Sequence, residues 1–173
     1  APEFDGTNQL TDEKIAKFYA TGEEAVAKAL ARTAEIARTH GARAVWSGGG
    51  IGSIAIDFGC GVGRLARALA TRFASVYCVD HSTAHLGLAA RSIQGREASR
   101  LHYVATSQAG SEIINEHADF VLSLLSLQHM VPQLQVAALE HLCDALRVGG
   151  LGRVQLLTGY SDSPYVERDC DWR

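Results

Sequence analysis

Between Ile54 and Leu65 the chain reads I-A-I-D-F-G-C-G-V-G-R-L. An apolar run leads into Asp57, then into Gly59, Gly61 and Gly63 at alternate positions, then into a helix predicted to begin near Arg64. Glycine has no Cβ, so such a turn bends tightly and lets a ligand lie against the backbone. The helix that follows offers unpaired N–H groups to whatever lies in the turn. Nucleotide-like cofactors occupy strand-to-helix turns of this kind in doubly wound sheets. A second acid, Asp80, ends the next apolar run, 21 residues after Gly59. A carboxylate at that spacing can accept hydrogen bonds from both ribose hydroxyls. The plainer reading is that Asp80 only caps the helix starting at Ser82.

The details of the loop discriminate between cofactors. A dinucleotide fingerprint has the form G-x-G-x-x-G. Counted from Gly59, its third glycine falls on Arg64, and glycine comes one residue early, at Gly63. Asp57, two residues before the first glycine, would repel a pyrophosphate. It suits an ammonium group, directly or through water. No G-x-x-x-x-G-K-[ST] phosphate loop occurs. These features favour S-adenosylmethionine (SAM), with its ammonium and its cationic sulfonium, over NAD, FAD or ATP. The same residues, I-D-F-G-C-G-V-G-R-L, resemble motif I of the class I SAM-dependent methyltransferases.

That resemblance implies a site built from several further segments. The loop residues Asp57, Gly59, Cys60, Gly61, Gly63 and Arg64 face the cofactor, with Cys60 a packing residue and no nucleophile, since nothing basic is placed to ionise it. V-D-H-S supplies Asp80 as the ribose acid with His81 beside it; His85 follows on the same helix, on its solvated side or toward the adenine edge. Where relatives carry an acid or amide for adenine, this chain has Thr106, Ser107 and Gln108, and a backbone group is the alternative. The run Asp119 to Met130, with its L-Q-H, resembles the family's fourth motif and places Ser123 and Leu124 on the cofactor. His129 is either a general base or a histidine that hydrogen-bonds backbone at a helix start. Tyr19 is either a lid over the cofactor or an ordinary helix aromatic.

The implied activity is methyl transfer to a small-molecule acceptor by in-line displacement, leaving S-adenosylhomocysteine (SAH). The cofactor carries the hard chemistry and the protein orients it. The alternatives are a non-catalytic SAM- or SAH-binding module, a truncated methyltransferase core and, on the glycines alone, an NAD-dependent oxidoreductase.

The elements that must hold these residues follow from periodicity. Residues 11–40 repeat apolar side chains at helical spacing, and Gly22, preceded by Thr21, predicts two helices, the second capped by Thr21. Short apolar runs predict strands at about Ser53–Asp57, Ser75–Asp80, Leu101–Ala105, Ala118–Ser123 and Leu151–Leu157. Helices are expected between them, from Val62 or Gly63 to Arg72, from Ser82 to about Ile93, and from Pro132, whose missing N–H costs nothing at a first turn. The segment Trp46–Gly50 reads as a loop. Alternating strands and helices mean an α/β fold: a Rossmann-like, doubly wound, mostly parallel sheet of about five strands. The resemblance adds a central first strand. Set against the resemblance, a domain at 11–158 followed by a short tail at 159–173 is expected to lack the family's usual C-terminal strand hairpin.

At 173 residues, with 47% apolar and 20% charged side chains, the chain has the composition of one globular domain. A net charge of −3 gives no support for nucleic acid as a partner. No apolar run has the length of a membrane span. Residues 1–10 read as a disordered or tag-derived tail. Cys60, Cys78, Cys143 and Cys170 lack metal-ligand spacing, so no metal is expected; Cys78 and Cys143 read as buried, and a reducing, cytoplasmic setting is expected. The exposed edge of the fifth strand predicts a homodimer contact or packing by the tail.

Overall fold

The computed structural model describes residues 11–41, 53–106 and 117–156. The expectations for 1–10, for Trp46–Gly50, for Ser107 and Gln108, and for the tail with Cys170 lie outside these residues. Five strands form one sheet: β1 (Ile54–Phe58), β2 (Ser75–Asp80), β3 (Leu101–Ala105), β4 (Ala118–Ser123) and β5 (Leu146–Val154). Their order is β3-β2-β1-β4-β5, and all four pairings are parallel. The chain therefore builds outward from β1 to β3, then returns to the other side of β1. That reversal puts a crevice at the C-terminal ends of β1 and β4, where ligands bind in open α/β sheets.

Strand side chains alternate between two apolar layers. Ala55, Val76, Cys78, Phe120 and Leu122 pack under the helices α1 (Asp12–Thr39), α2 (Arg64–Ala70) and α3 (Thr83–Ser92). Ile56, Val79, Val104 and Val121 face the opposite way, onto Leu142 and Ala145 of α4 (Pro132–Ala145). Phe73, after α2, stacks on Phe120 at 5.9 Å between ring centroids. The Arg100 guanidinium donates to the Ala70 carbonyl at 2.8 Å, satisfying a carbonyl left open at the end of α2.

Three expectations need correction. Gly22 does not divide the N-terminal region: α1 is one helix of 28 residues, and Thr21 lies inside it, donating its hydroxyl to the Phe18 carbonyl at 2.6 Å. The cap is Thr11, whose hydroxyl accepts the Lys14 N–H at 3.3 Å, with Asp12 and Glu13 in the first turn. The glycine serves tertiary approach. Gly22 is buried against the first residue of α2, and a Cβ there would overlap the Arg64 carbonyl oxygen. The second correction concerns Cys143, which is exposed, because α4 buries only Leu142 and Ala145, near its C-terminal end. Cys78 is fully buried, as expected for a residue of a central strand.

β5 pairs only with β4 and is an edge strand among the described residues. Its register shifts between Ala118 and Phe120, and regular pairing runs from Leu151 to Val154. The third correction is to β5 itself, expected from Leu151: it begins at Leu146 and takes in Val148, Gly149 and Gly150, with Gly149 at φ 82° within the irregular stretch. No described helix is long and apolar enough to cross a membrane.

The tight α1–α2 approach is testable through sign. At an unpacked helical position Gly→Ala stabilises by up to about 1 kcal/mol. Gly22→Ala should instead destabilise by about 1–3 kcal/mol, as overpacking does, measured as a lower urea midpoint. A midpoint at or above that of the unsubstituted chain would contradict the contact.

Candidate cofactor site

β1 is flanked by strands on both sides, so its last residues are shielded from solvent. Asp57 is 1% exposed, and neither carboxylate oxygen has a hydrogen-bond partner. Burial pushes its pKa up to about 7 from an ordinary 3.8. The Arg64 guanidinium and the dipole of the nearby Ala66 N–H, which falls short of hydrogen-bond geometry, pull it partly back, and Asp80 raises it. An unpartnered buried carboxylate is unfavourable as an ion, and a cation brought to it relieves that cost.

The turn after β1 is held on all sides. Gly59 and Cys60 donate their N–H groups to the Val79 carbonyl at 2.7 and 3.0 Å, and Gly63 donates to the Cys60 carbonyl at 2.9 Å. Gly59, Gly61 and Gly63 all have positive φ, at 78°, 54° and 84°, the left-handed region that side chains with a Cβ resist. Two of the three are also packed. A Cβ on Gly59 would collide with the Ser126 side chain, and one on Gly63 would lie 2.7 Å from Ile93 Cδ1. Nothing lies within 4 Å of the Cβ position at Gly61, so open space adjoins the middle of the turn.

Asp80 ends β2 beside that space and is 5% exposed. Its Oδ2 accepts the Gly61 N–H at 2.8 Å and its Oδ1 accepts the Ser82 N–H at 2.8 Å. Each carboxylate oxygen retains a further acceptor position, so tethering the turn does not use up the group. His81 Nδ1 is 3.4 Å and His85 Nδ1 3.9 Å from Oδ1, and both rings are largely in solvent. Ser82 is the cap of α3, accepting the His85 N–H at 3.2 Å. Asp80 thus binds backbone at the helix start while its carboxylate stays tied to the glycine turn.

Cys60 is buried, and the neighbouring Cys78 thiol and burial push its pKa up, which keeps it a thiol. Tyr19 is buried on α1, donates its hydroxyl to the Val62 carbonyl at 3.5 Å and carries the Arg67 guanidinium 4.6 Å from its ring centroid. It therefore clasps the turn from behind α2. Ser123 is fully buried and donates to the Phe58 carbonyl at 3.0 Å, tying the exits of β4 and β1 together. Leu124 packs against the same core. Thr106 is exposed just past β3. His129 is exposed, on the short 3-10 turn Leu127–His129 after β4, with Nε2 3.4 Å from Gln128 Nε2.

Ser126 and Arg67 had no signal in the sequence, since their partners Gly59 and Tyr19 are distant along the chain. A groove of about 440 Å³ between α1 and β5, lined by Lys28, Ala31, Arg32, Glu35 and Arg153, shares no residue with this site. Lys28 and Arg32 there are paired with Glu24 and Glu35 at 2.6 and 3.0 Å.

Residues 55–150 match the family model for the methyltransferase domain. The chain belongs to that family. The methyltransferase domain spans β1 to β5 and so includes the glycine turn, Asp80 and the β4 exit. Among solved structures, the domain resembles SAM-bound CalS10, an amino pentose methyltransferase of calicheamicin biosynthesis from Micromonospora echinaspora. The identity is 19% and the TM-score 0.55, over 80% of this chain and 53% of that one. It also resembles magnesium protoporphyrin IX methyltransferase from Synechocystis PCC 6803, solved with SAH, at 23% identity and TM-score 0.51, over 82% and 58%. These likenesses are of fold, and the chain spans a little over half the length of each. No curated protein matches the sequence.

The raised pKa of Asp57 sets a pH dependence for the ligand-free methyltransferase domain. In the unfolded chain Asp57 ionises near 3.8, and in the folded chain near 7. Between these values the unfolded state has lost a proton that the folded state keeps, so stability falls as pH rises from about 4 to about 7. Asp57→Asn should remove this slope, gaining stability relative to the unsubstituted chain by a few kcal/mol across that window. Parallel dependence of the two melting curves on pH would refute a buried, unpaired carboxylate.

Proposed function

We propose that this domain binds S-adenosylmethionine at the glycine turn and transfers its methyl group to a small-molecule acceptor by in-line displacement. The observation that carries the reading is Asp57: a carboxylate fully buried, without a hydrogen-bond partner, at the entrance of a left-handed glycine turn. The residues fit the cofactor's chemistry. Asp57 would receive the ammonium of the methionine portion. Asp80, with an acceptor position left on each oxygen, would receive the ribose hydroxyls. The backbone around Gly61 is open enough for close approach. A pyrophosphate in the same place would meet an acid, which disfavours a dinucleotide.

When bound, the sulfonium supplies an electrophilic methyl group. The protein's part is alignment, which contributes roughly 7–11 kcal/mol in favourable reactions. Ser123, Ser126 and Tyr19 hold the turn rigid through contacts with Phe58, Gly59 and Val62. His129, exposed after β4, is the proposed proton acceptor for an acceptor hydroxyl or amine. The methyltransferases solved with SAM or SAH share this fold, which supports the cofactor; the acceptor follows from neither.

Calorimetric titration with SAH tests the reading. The unsubstituted chain should bind, and NAD should give no heat. Asp80→Ala should weaken SAH binding by about 1–3 kcal/mol, the cost of losing hydrogen bonds to a charged group. Undiminished affinity would remove the ribose assignment. SAH release with candidate acceptors then separates a catalyst from a non-catalytic binding module. For a general base, His129→Ala should lower kcat by about 10²–10⁴, and an unchanged kcat assigns it a structural role.

The pH dependence of affinity gives a second, independent check. A ligand ammonium requires the ionised Asp57, so binding below pH 7 must displace a proton. SAH affinity should then drop by up to about tenfold per pH unit below pH 7 and level off above it. Asp57→Asn should bind weakly at every pH, without that slope. Equal slopes in the two proteins would place the ammonium elsewhere.

A further inference from the structure

Among the described residues only His117 and Leu125 are non-glycine residues with positive φ, and Leu125 stands at 60° just past the end of β4. A residue with a Cβ in that region costs roughly 1–2 kcal/mol, and such strain persists only where neighbours over-determine it. Core packing does not explain it here, because the Leu125 side chain is 53% exposed. The backbone does. Gln155, immediately after β5, donates its N–H to the Ser123 carbonyl at 2.9 Å, and its side-chain Oε1 accepts the Leu125 N–H at 3.1 Å. One residue thus brackets Leu124 from both sides.

We propose that Gln155 is a positioning residue of the cofactor site, holding Leu125 in its left-handed backbone so that Ser126 stays seated on Gly59. This rests on the reading of the glycine turn as a cofactor site. The path is short and continuous. Leu125 leads directly into Ser126, whose side chain occupies the space a Cβ at Gly59 would need. Beyond it, Leu127 is fully buried, and the His129 N–H donates to the Ser126 carbonyl at 3.1 Å, so the segment is pinned downstream as well. Ser123 donates to the Phe58 carbonyl at 3.0 Å, which fixes the same segment to β1 upstream. What remains adjustable is the backbone at Leu124 and Leu125, and Gln155 fixes it. The exits of three adjacent strands, β1, β4 and β5, are in this way joined into one rim around Asp57. Gln155 touches no reacting atom; it acts through Leu125 and Ser126.

The test uses SAH as the probe and the full chain. Gln155→Leu keeps the bulk and removes the acceptor, and SAH affinity should fall by about fivefold or more, the range set by 1–2 kcal/mol of backbone strain. Gln155→Glu keeps an acceptor oxygen and should restore affinity to within about twofold of the unsubstituted chain. Leu125→Gly removes the strain, so adding Gln155→Leu to it should change affinity by less than about twofold. This comparison stands even if Gln155→Leu alone fails to fold. Full affinity in a folded Gln155→Leu protein overturns the proposal, as does an undiminished effect of that substitution in the Leu125→Gly background. An unsubstituted chain that does not bind SAH overturns the cofactor reading, and the role of Gln155 with it. Binding that ignores Gln155 overturns only the latter.

Discussion

A carboxylate placed inside a parallel sheet, without a partner, is the constraint around which the rest of this structure is arranged. Asp57, near the end of the central strand, is buried because β2 and β4 flank β1 and α2 lies over it. Neutral, it is tolerable; ionised, it needs a positive neighbour, and Arg64 supplies only part of the compensation. Stability alone would favour an apolar residue there. A cation brought to this position would relieve the cost, and the glycine turn beside it leaves room for one.

The surroundings of the turn show how an open space is kept rigid. Its glycines do different work: Gly59 and Gly63 are pressed by Ser126 and Ile93, whereas Gly61 faces empty space while its N–H is held by Asp80. Rigidity comes from carbonyls and carboxylates outside the turn. Val79 takes two of its N–H groups, Asp80 a third, and Tyr19 reaches over from α1 to Val62. A ligand bound here would encounter a preformed surface, which reduces the ordering cost of binding.

The architecture was legible because the strands are short apolar runs closed by polar or glycine residues. β2, β3 and β4 have the predicted bounds, and β1 moves by one residue. Asp57 and Asp80 could be singled out because strand ends are visible in the sequence. What failed were inferences at particular residues that rested on local habit alone. Gly22 reads as a helix break, yet its partner is a carbonyl 42 residues later in the chain. Cys143 reads as core, yet α4 meets the sheet through only one end. Ser126, Arg67 and Gln155 are ordinary surface residue types; their importance lies in tertiary approach, and no local pattern records it. Of the three residues proposed for adenine, Thr106 alone belongs to the described segments.

The hydrogen bonds that fasten the turn come from opposite ends of the chain. Tyr19 reaches Val62 across 43 residues, and Gln155 reaches Leu125 across 30. A polypeptide emerging from the ribosome N-terminus first can pair β1 with β2 and β2 with β3 early, because those strands follow one another. It cannot finish the rim of the crevice until β4 has inserted on the far side of β1 and residue 155 has cleared the exit tunnel. The rim of the site therefore matures late in synthesis, and a nascent chain stopped before β4 would carry β1, β2 and β3 with the β4 side of Asp57 uncovered.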